Sequence, residues 1–182
     1  MTTQEIRSTF QIRKLDEGEI VSDFNCGDND LNDFILNDAP HYREALLAVT
    51  YVLENRETHK VVAYFSLAND RISTDDFTSN SAYNRFKKKH FNRKKFFSSY
   101  PAAKLCRLGV DSSMKGQAIG HFLIDFIKTY FLMNNKTGCR FLTVDAYHVA
   151  TPFYIKNGFQ QLLLENPKPH TDFLYFDLKE ME

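Results

Sequence analysis

The sequence is marked first by scarcities. It has no tryptophan, and only 7 glycines and 5 prolines in 182 residues. So little glycine and proline excludes a collagen-like or low-complexity chain. Its 3 cysteines, Cys26, Cys106 and Cys139, show no C-x-x-C or metal-type spacing. An odd, scattered set argues against a disulfide framework and fits a reducing compartment. No stretch approaches the roughly 20 apolar residues that span a bilayer, and the start, MTTQEIRSTFQIRKL, lacks the apolar run of a signal peptide. A cytoplasmic protein with no membrane partner is expected. An excess of either charge is also missing, with 23 basic residues against 23 acidic ones. Global charge therefore names no partner, and only local clusters can.

What is plentiful is phenylalanine, 17 residues beside 9 tyrosines, which predicts an aromatic-rich core. The length fits a single domain, residues 1–182, able to bury that core without staples. Alternating apolar residues in FQIRKL predict a first strand. In CGDNDLNDFILNDAPHYREAL, Asp28 or Asn29 can cap a helix carrying Leu31, Phe34 and Ile35, with Pro40 expected to break it before a second short turn or helix. Two β-rich runs, 48–53 and 61–68, flank a charged turn and read as an antiparallel hairpin. After a polar stretch and a basic run, KLCRLGV resumes β character, a helix is expected from about Gly116 to Met133, RFLTVDA reads as a strand, and HVATPFYIKN as a helix stopped by Gly158 at a left-handed C′ position. FQQLLL and TDFLYFDL read as two last strands. Hairpins imply antiparallel pairing, and strand to helix to strand over 104–145 implies a right-handed parallel crossover. The fold class is therefore α/β (α+β), a mixed sheet flanked by helices.

Two segments carry chemistry. In the predicted helix after Gly116, apolar residues at Ile119, Phe122, Leu123, Phe126, Ile127, Tyr130 and Phe131 recur with the spacing of one buried face. Lys115, Gly116, Gln117, Ala118, Ile119 and Gly120 lead into it. A loop with small residues that opens a helix can present backbone N–H groups and the positive end of the helix dipole to an anion such as pyrophosphate, although glycines at 116 and 120 can equally serve only to start and pack the helix. The second segment, ATPFYIKNGF, places Tyr154 one turn before Gly158 and Phe159. A phenol stays protonated at neutral pH and can act as a general acid, while an amphipathic core ring is the plainer reading.

Together these segments resemble the GCN5-related N-acetyltransferase (GNAT) superfamily over roughly Phe10 to Leu178. That family's Q/R-x-x-G-x-G/A loop is met here by Lys115, Gly116, Gln117, Ala118, Ile119 and Gly120, with Lys115 in place of Gln or Arg and Ala118 in place of glycine. A helical φ at position 118 would suit alanine. The resemblance implies a mostly antiparallel sheet of six or seven strands splayed at strands 4 and 5, and acetyl-coenzyme A as donor. It further implies pyrophosphate on the loop amides, and backbone N–H groups of Leu108, Gly109 and Val110 facing the thioester carbonyl and the pantetheine arm. The A-x-x-x-Y-x-x-x-G-F element, met by Ala150, Tyr154, Gly158 and Phe159, makes Tyr154 the general acid toward the departing thiolate. For the base, Glu54, Asp70, Asp111, Asp145 and His148 all stay open, and no metal site is expected. The cysteines are expected to be packing residues, since none has a predicted histidine partner.

One more segment is distinctive. Between Asn84 and Phe97, Arg85, Lys87, Lys88, Lys89, Arg93, Lys94 and Lys95 interleave with Phe86, Phe91, Phe96 and Phe97, without one acid. This reads either as a solvated helical face with its aromatics turned inward or as an electrostatic surface for nucleic acid. Within the superfamily, the branch it looks most similar to is that of bacterial toxin acetyltransferases acting on aminoacyl-tRNA. The marks are Phe24, Cys26, Gly27, Leu31 and Phe34 of an F-x-C-G-x-x-x-L-x-x-[FW] opening, the run FSLA, and an R-L-x-V-D strand. That resemblance implies tRNA as acceptor carrier and an antitoxin partner; a homodimer is a further candidate, with the oligomeric state left open by the sequence. Acetylation of a small amine or protein lysine, and a non-catalytic module that binds coenzyme A or RNA, are the alternatives.

Overall fold

A computed structural model describes residues 1–91, 97–133 and 137–181. Helix α1 (Thr3–Thr9) opens on a capping box between Thr2 and Glu5 and leads into β1 (Phe10–Lys14). Asp28, whose side chain accepts the Leu31 N–H, caps α2 (Asn29–Asp33). A π-helical turn, Phe34–Asp38, carries the chain into α3 (Ala39–Glu44). The second short helix expected after the break is α3, and Pro40 falls in its first turn, where its missing N–H costs nothing. Then follow β2 (Val49–Asn55), β3 (Val61–Ser73), α4 (Asn80–His90), β4 (Ser99–Val110), α5 (Ile119–Leu132), β5 (Phe141–Tyr147), α6 (Thr151–Lys156), β6 (Gln160–Gln161) and β7 (Thr171–Asp177).

The strands form a 7-stranded sheet in the order β1-β2-β3-β4-β5-β7-β6, flanked by helices. Pairing is antiparallel for β1–β2, β2–β3, β5–β7 and β6–β7, and parallel for β4–β5, as the predicted crossover requires. The β4–β5 register holds only from Ala102↔Phe141 to Lys104↔Thr143. Both strands then continue unpaired with each other, β4 to Val110 and β5 to Tyr147, so the sheet is splayed there.

By its contacts the chain divides into two compact units, residues 1–68 with 105–127 and residues 69–104 with 128–182. In the first, Phe24, Phe34, Ile35, Val52 and Tyr64 form the centre of the core, and the buried Tyr64 satisfies its hydroxyl on Leu31 O at 2.7 Å. In the second, the core is an aromatic cluster of Phe77, Tyr83, Phe86, Tyr100, Phe141 and Tyr175. The Phe-rich core predicted from composition is therefore present, and α4 supplies part of it.

Three local expectations are corrected. Strand β3 runs on to Ser73, well into the stretch read as polar loop. Helix α5 starts at Ile119, not Gly116, because the residues before it leave helical geometry. Its buried stripe is Ile119, Leu123, Ile124, Ile127 and Lys128, whereas Tyr130 is exposed. No helix among the described residues is long and apolar enough to cross a membrane.

Candidate active site

In the first unit, β4 ends against a loop that is tied down at many points. Asp111 N–H donates to Val62 O of β3 at 2.9 Å, and Ser112 N–H donates to Asn25 O at 2.8 Å. The Asp111 carboxylate accepts from Asn25 N at 3.0 Å, Ser113 N at 3.0 Å and Ser113 Oγ at 2.5 Å. Burial works to raise its pKa, but these donors outweigh it and hold the carboxyl below the usual range. Successive N–H groups alternate sides along a strand, so Gly109 shares the β3 side with Asp111 while Leu108 and Val110 point the other way. Gly109 serves packing: a Cβ there would stand 2.7 Å from Tyr64 Cε1 and 3.2 Å from Phe24 Cζ.

The loop then turns twice through the left-handed region, at Gly116 (φ 77°) and Ala118 (φ 62°). The expected helical φ at 118 is therefore wrong; alanine occupies a conformation that suits glycine. The first helical bond of α5 runs from Phe122 N to Ala118 O at 3.0 Å, so the Ile119 and Gly120 amides have no acceptor within the helix. A Cβ at Gly116 would meet nothing within 4 Å, so the loop backbone is open to a close approach there. Lys115 is exposed, and its ammonium sits over Gly27, 3.3 Å from where a Cβ would be. Gly27 itself has φ 83°. An open loop, two helix-start amides and one lysine suit a pyrophosphate.

Sequence reading missed why the F-x-C-G element accompanies this loop. Asn25 and Asn32 are the reason. Asn32 Oδ1 accepts from Cys26 N at 2.9 Å, Asn32 Nδ2 donates to Asn25 Oδ1 at 3.1 Å, and Asn25 binds the β4–α5 connection through its backbone. The spacing of Asn25 and Asn32, one helix cap apart, is the only sequence signal for it. Cys26 is buried and its Sγ lies 3.2 Å from Asn32 Oδ1. Burial pushes the Cys139 thiol up to about 11, in keeping with a packing role.

In the second unit, Tyr154 is placed by the end of α6. Phe159 N–H donates to Tyr154 O at 3.1 Å and Gly158 N–H to Ile155 O at 2.9 Å, with Gly158 at φ 80°. These two bonds are a Schellman motif, so the Y-x-x-x-G-F spacing is the motif's own and the predicted C′ glycine is in place. Its hydrophobic contact is Tyr154 against Phe159, with centroids 5.5 Å apart. A Cβ on Gly158 would stand 3.2 Å from Phe176 Cε2. The buried Lys128 ammonium, missed in the sequence, donates to Asn157 O at the C-cap at 2.6 Å and lies 3.9 Å above the Phe176 ring. The Tyr154 ring is 7% exposed, and burial alone raises its pKa well above the ordinary phenol value. Among the described residues its hydroxyl has no protein hydrogen-bond partner.

The five candidate bases separate. Glu54 is held by Arg13, His59 and Gln11, which more than offset its burial and lower it. Asp70 accepts the Thr143 hydroxyl. Asp145, lowered in spite of burial, meets Lys104 at 2.7 Å and Lys168 at 2.6 Å. Only His148 combines an exposed ring with raised basicity, the result of Asp172 at 3.2 Å.

The described part of the basic segment up to His90 lies in α4. Tyr83 and Phe86 turn inward, Lys87 lies 4.6 Å above the Tyr83 ring, and Arg85, Lys88 and Lys89 are exposed. Arg93, Lys94 and Lys95 lie outside the described residues. His90, Asp177 and Glu180 cluster closely enough to hold an ion, but Asp177 is already engaged by His90 at 2.7 Å and Arg140 at 2.7 Å.

Residues 96–177 match the family described as acetyltransferase (GNAT) domain. The chain has the GNAT fold. A tyrosine-to-phenylalanine variant of KacT superposes with a TM-score of 0.75 at 20% identity, over 95% of this chain and 97% of that one. AtaTR bound with acetyl-coenzyme A gives 0.72 at 22% identity, over 96% of each chain. AtaT complexed with acetyl-methionyl-tRNAfMet gives 0.71 at 23% identity, over 94% of this chain and 96% of that one. No curated protein matches the sequence. The matched segment 96–177 contains β4, the β4–α5 loop and Tyr154, while the Asn25 and Asn32 brace precedes it.

Proposed function

We propose that this GNAT-fold protein is an acetyl-coenzyme A dependent N-acetyltransferase that passes the acetyl group directly to a primary amine carried by aminoacyl-tRNA. The observation that carries the donor side is the splay of β4 from β5 beyond Lys104↔Thr143, followed at once by the loop with unoccupied helix-start amides. Lys115 and the backbone of Gly116, Gln117, Ala118, Ile119 and Gly120 hold the pyrophosphate of the donor. The Leu108 and Val110 amides receive the thioester carbonyl oxygen, and Gly109 keeps the strand close-packed behind them. The neutral amine nitrogen attacks the acetyl carbon, the carbonyl oxygen gains charge against those amides, the nitrogen gives up its proton to water, and the carbon–sulfur bond breaks. Each such donor is worth about 3 kcal/mol in a tetrahedral transition state. Tyr154 gives its phenolic proton to the leaving thiolate, a role its buried, protonated state supports.

The acceptor class is supported by the cationic face of α4 and by AtaT, solved with acetyl-methionyl-tRNAfMet. An antitoxin partner is proposed from AtaT bound to the C-terminus of AtaR, and a cytoplasmic site of action follows from the acceptor. β3, β4 and α5 each pass through both units, which supports residues 1–182 acting as one domain. The decisive test is incubation with radiolabelled acetyl-coenzyme A and charged tRNA. Acid-stable label on the aminoacyl group is expected; label that appears only on free amines or protein lysine would reassign the acceptor, and no heat on titration with the donor would remove the activity.

A further inference from the structure

Half-buried cations in this protein have partners as a rule: Arg13 meets Glu19 and Glu54, Lys104 meets Asp145, and Arg140 meets Asp177. Arg43, with a buried Nη1 that has no hydrogen-bond partner, and Arg107 depart from it, and of the two only Arg107 stands on β4 next to Leu108. Its Nε is buried without a hydrogen-bond partner, and no carboxylate lies within ion-pair distance of its guanidinium among the described residues. The group is nevertheless fixed. Its Cζ lies 4.0 Å above the Phe34 ring and 5.5 Å from the Tyr42 ring, and those rings meet edge to face at 5.3 Å. A guanidinium has five donors in a planar fork and matches a two-oxygen anion; stacking on a ring presets its plane while leaving the fork edges free. An unpaired charge away from full solvent is destabilising by itself, so its retention points to a ligand that supplies the counter-charge. On β4, Arg107 immediately precedes Leu108 and shares the face of Gly109.

We propose that Arg107, clamped by Phe34 and Tyr42, is the receptor for a phosphate of the acceptor strand, fixing a phosphodiester near the end of the RNA beside the amine to be acetylated. This rests on the acceptor being an RNA-borne amine. Coenzyme phosphates are not the ligand in question, since the β4–α5 loop provides for them. The test measures binding, not turnover. With acetyl-coenzyme A saturating, a short single-stranded oligoribonucleotide is titrated into wild type, Arg107→Met, Arg107→Lys and, as a control for loss of one surface charge, Arg7→Met. Arg107→Met is expected to weaken oligonucleotide binding about tenfold, the loss typical of a charge-assisted hydrogen bond. The log–log salt slope should fall by about 0.7, one single-strand phosphate. Arg107→Lys should recover part of the affinity, Arg7→Met should change it less than about twofold, and donor affinity should stay within about twofold throughout. Inorganic phosphate serves as a second probe: protection of wild type but not of Arg107→Met, with no effect on oligonucleotide binding, would overturn the RNA assignment in favour of a free phosphate. Equal losses in Arg107→Met and Arg7→Met, or a lowered melting temperature with lost donor binding, would overturn the receptor altogether. If wild type binds the oligonucleotide through Arg107 yet acetylates no tRNA, the proposed activity fails while the receptor stands.

Discussion

Ala118 and Tyr154 show how differently single residues can be read. The family pattern locates both, but only the backbone reveals that Ala118 sits at φ 62°, where a methyl group clashes with its own carbonyl. Ala118→Gly is therefore expected to stabilise the protein by about 1 kcal/mol, visible as a rise of roughly 2 to 4 °C in melting temperature. It should also tighten acetyl-coenzyme A binding in calorimetry, because the loop is then pre-set. A melting temperature that stays put or falls would show that the strain is relieved elsewhere. Tyr154→Phe removes a hydroxyl that no described protein group uses, so stability and donor affinity should hold while kcat drops at least about tenfold. An unchanged kcat would return Tyr154 to the core that its ring helps to fill. Gly109→Ala tests packing instead. With 2.7 Å to Tyr64 Cε1, the added methyl should cost roughly 1 to 3 kcal/mol, read by denaturant unfolding.

At the scale of elements, α4 and β7 meet through an ionic network. Asp177 is buried and bound by His90 and Arg140, which overcome its desolvation and bring its pKa down to about 2. A depressed carboxylate stabilises the fold above its unfolded value, near 3.9, and that contribution disappears as pH falls through about 2. Stability of about 2 kcal/mol is thus expected to be lost between roughly pH 4 and pH 2, and acid melts of Asp177→Asn should lack that segment of the curve. The same elements show what the sequence could convey. Period-two and helical spacing located most strands and helices, and the Gly158 stop defined α6, because apolar burial and left-handed caps leave residue-type marks. The buried stripe of α5 departs from the apolar spacing because it includes Lys128, whose charge is met by Asn157 O and the Phe176 face, partners far away in sequence. The length of β3 was missed for a related reason: backbone pairing, not side-chain alternation, carries it through Asn69, Asp70 and Arg71. The Leu108 and Val110 donors, being backbone groups, have no side-chain signature at all.

At the scale of the whole molecule, equal numbers of acidic and basic residues hide a local asymmetry. Helix α4 turns Tyr83 and Phe86 into an aromatic core and leaves Arg85, Lys88 and Lys89 exposed, so the solvated-face and nucleic-acid readings describe two sides of one amphipathic element. The inward side fixes the helix, which means the outward charges can be removed with little structural cost, within about 0.5 kcal/mol for exposed positions. Replacing Arg85, Lys88 and Lys89 by Gln should therefore leave the melting temperature and the acetylation of a small free amine unchanged. If these side chains each neutralise one phosphate of double-stranded tRNA, the salt slope of tRNA binding should fall by about 3 × 0.9. The same variant should raise KM for charged tRNA without altering kcat, because contacts with remote phosphates are made equally in ground and transition states. An unaltered salt slope would assign this face to solvent alone, leaving Arg107 to carry phosphate recognition.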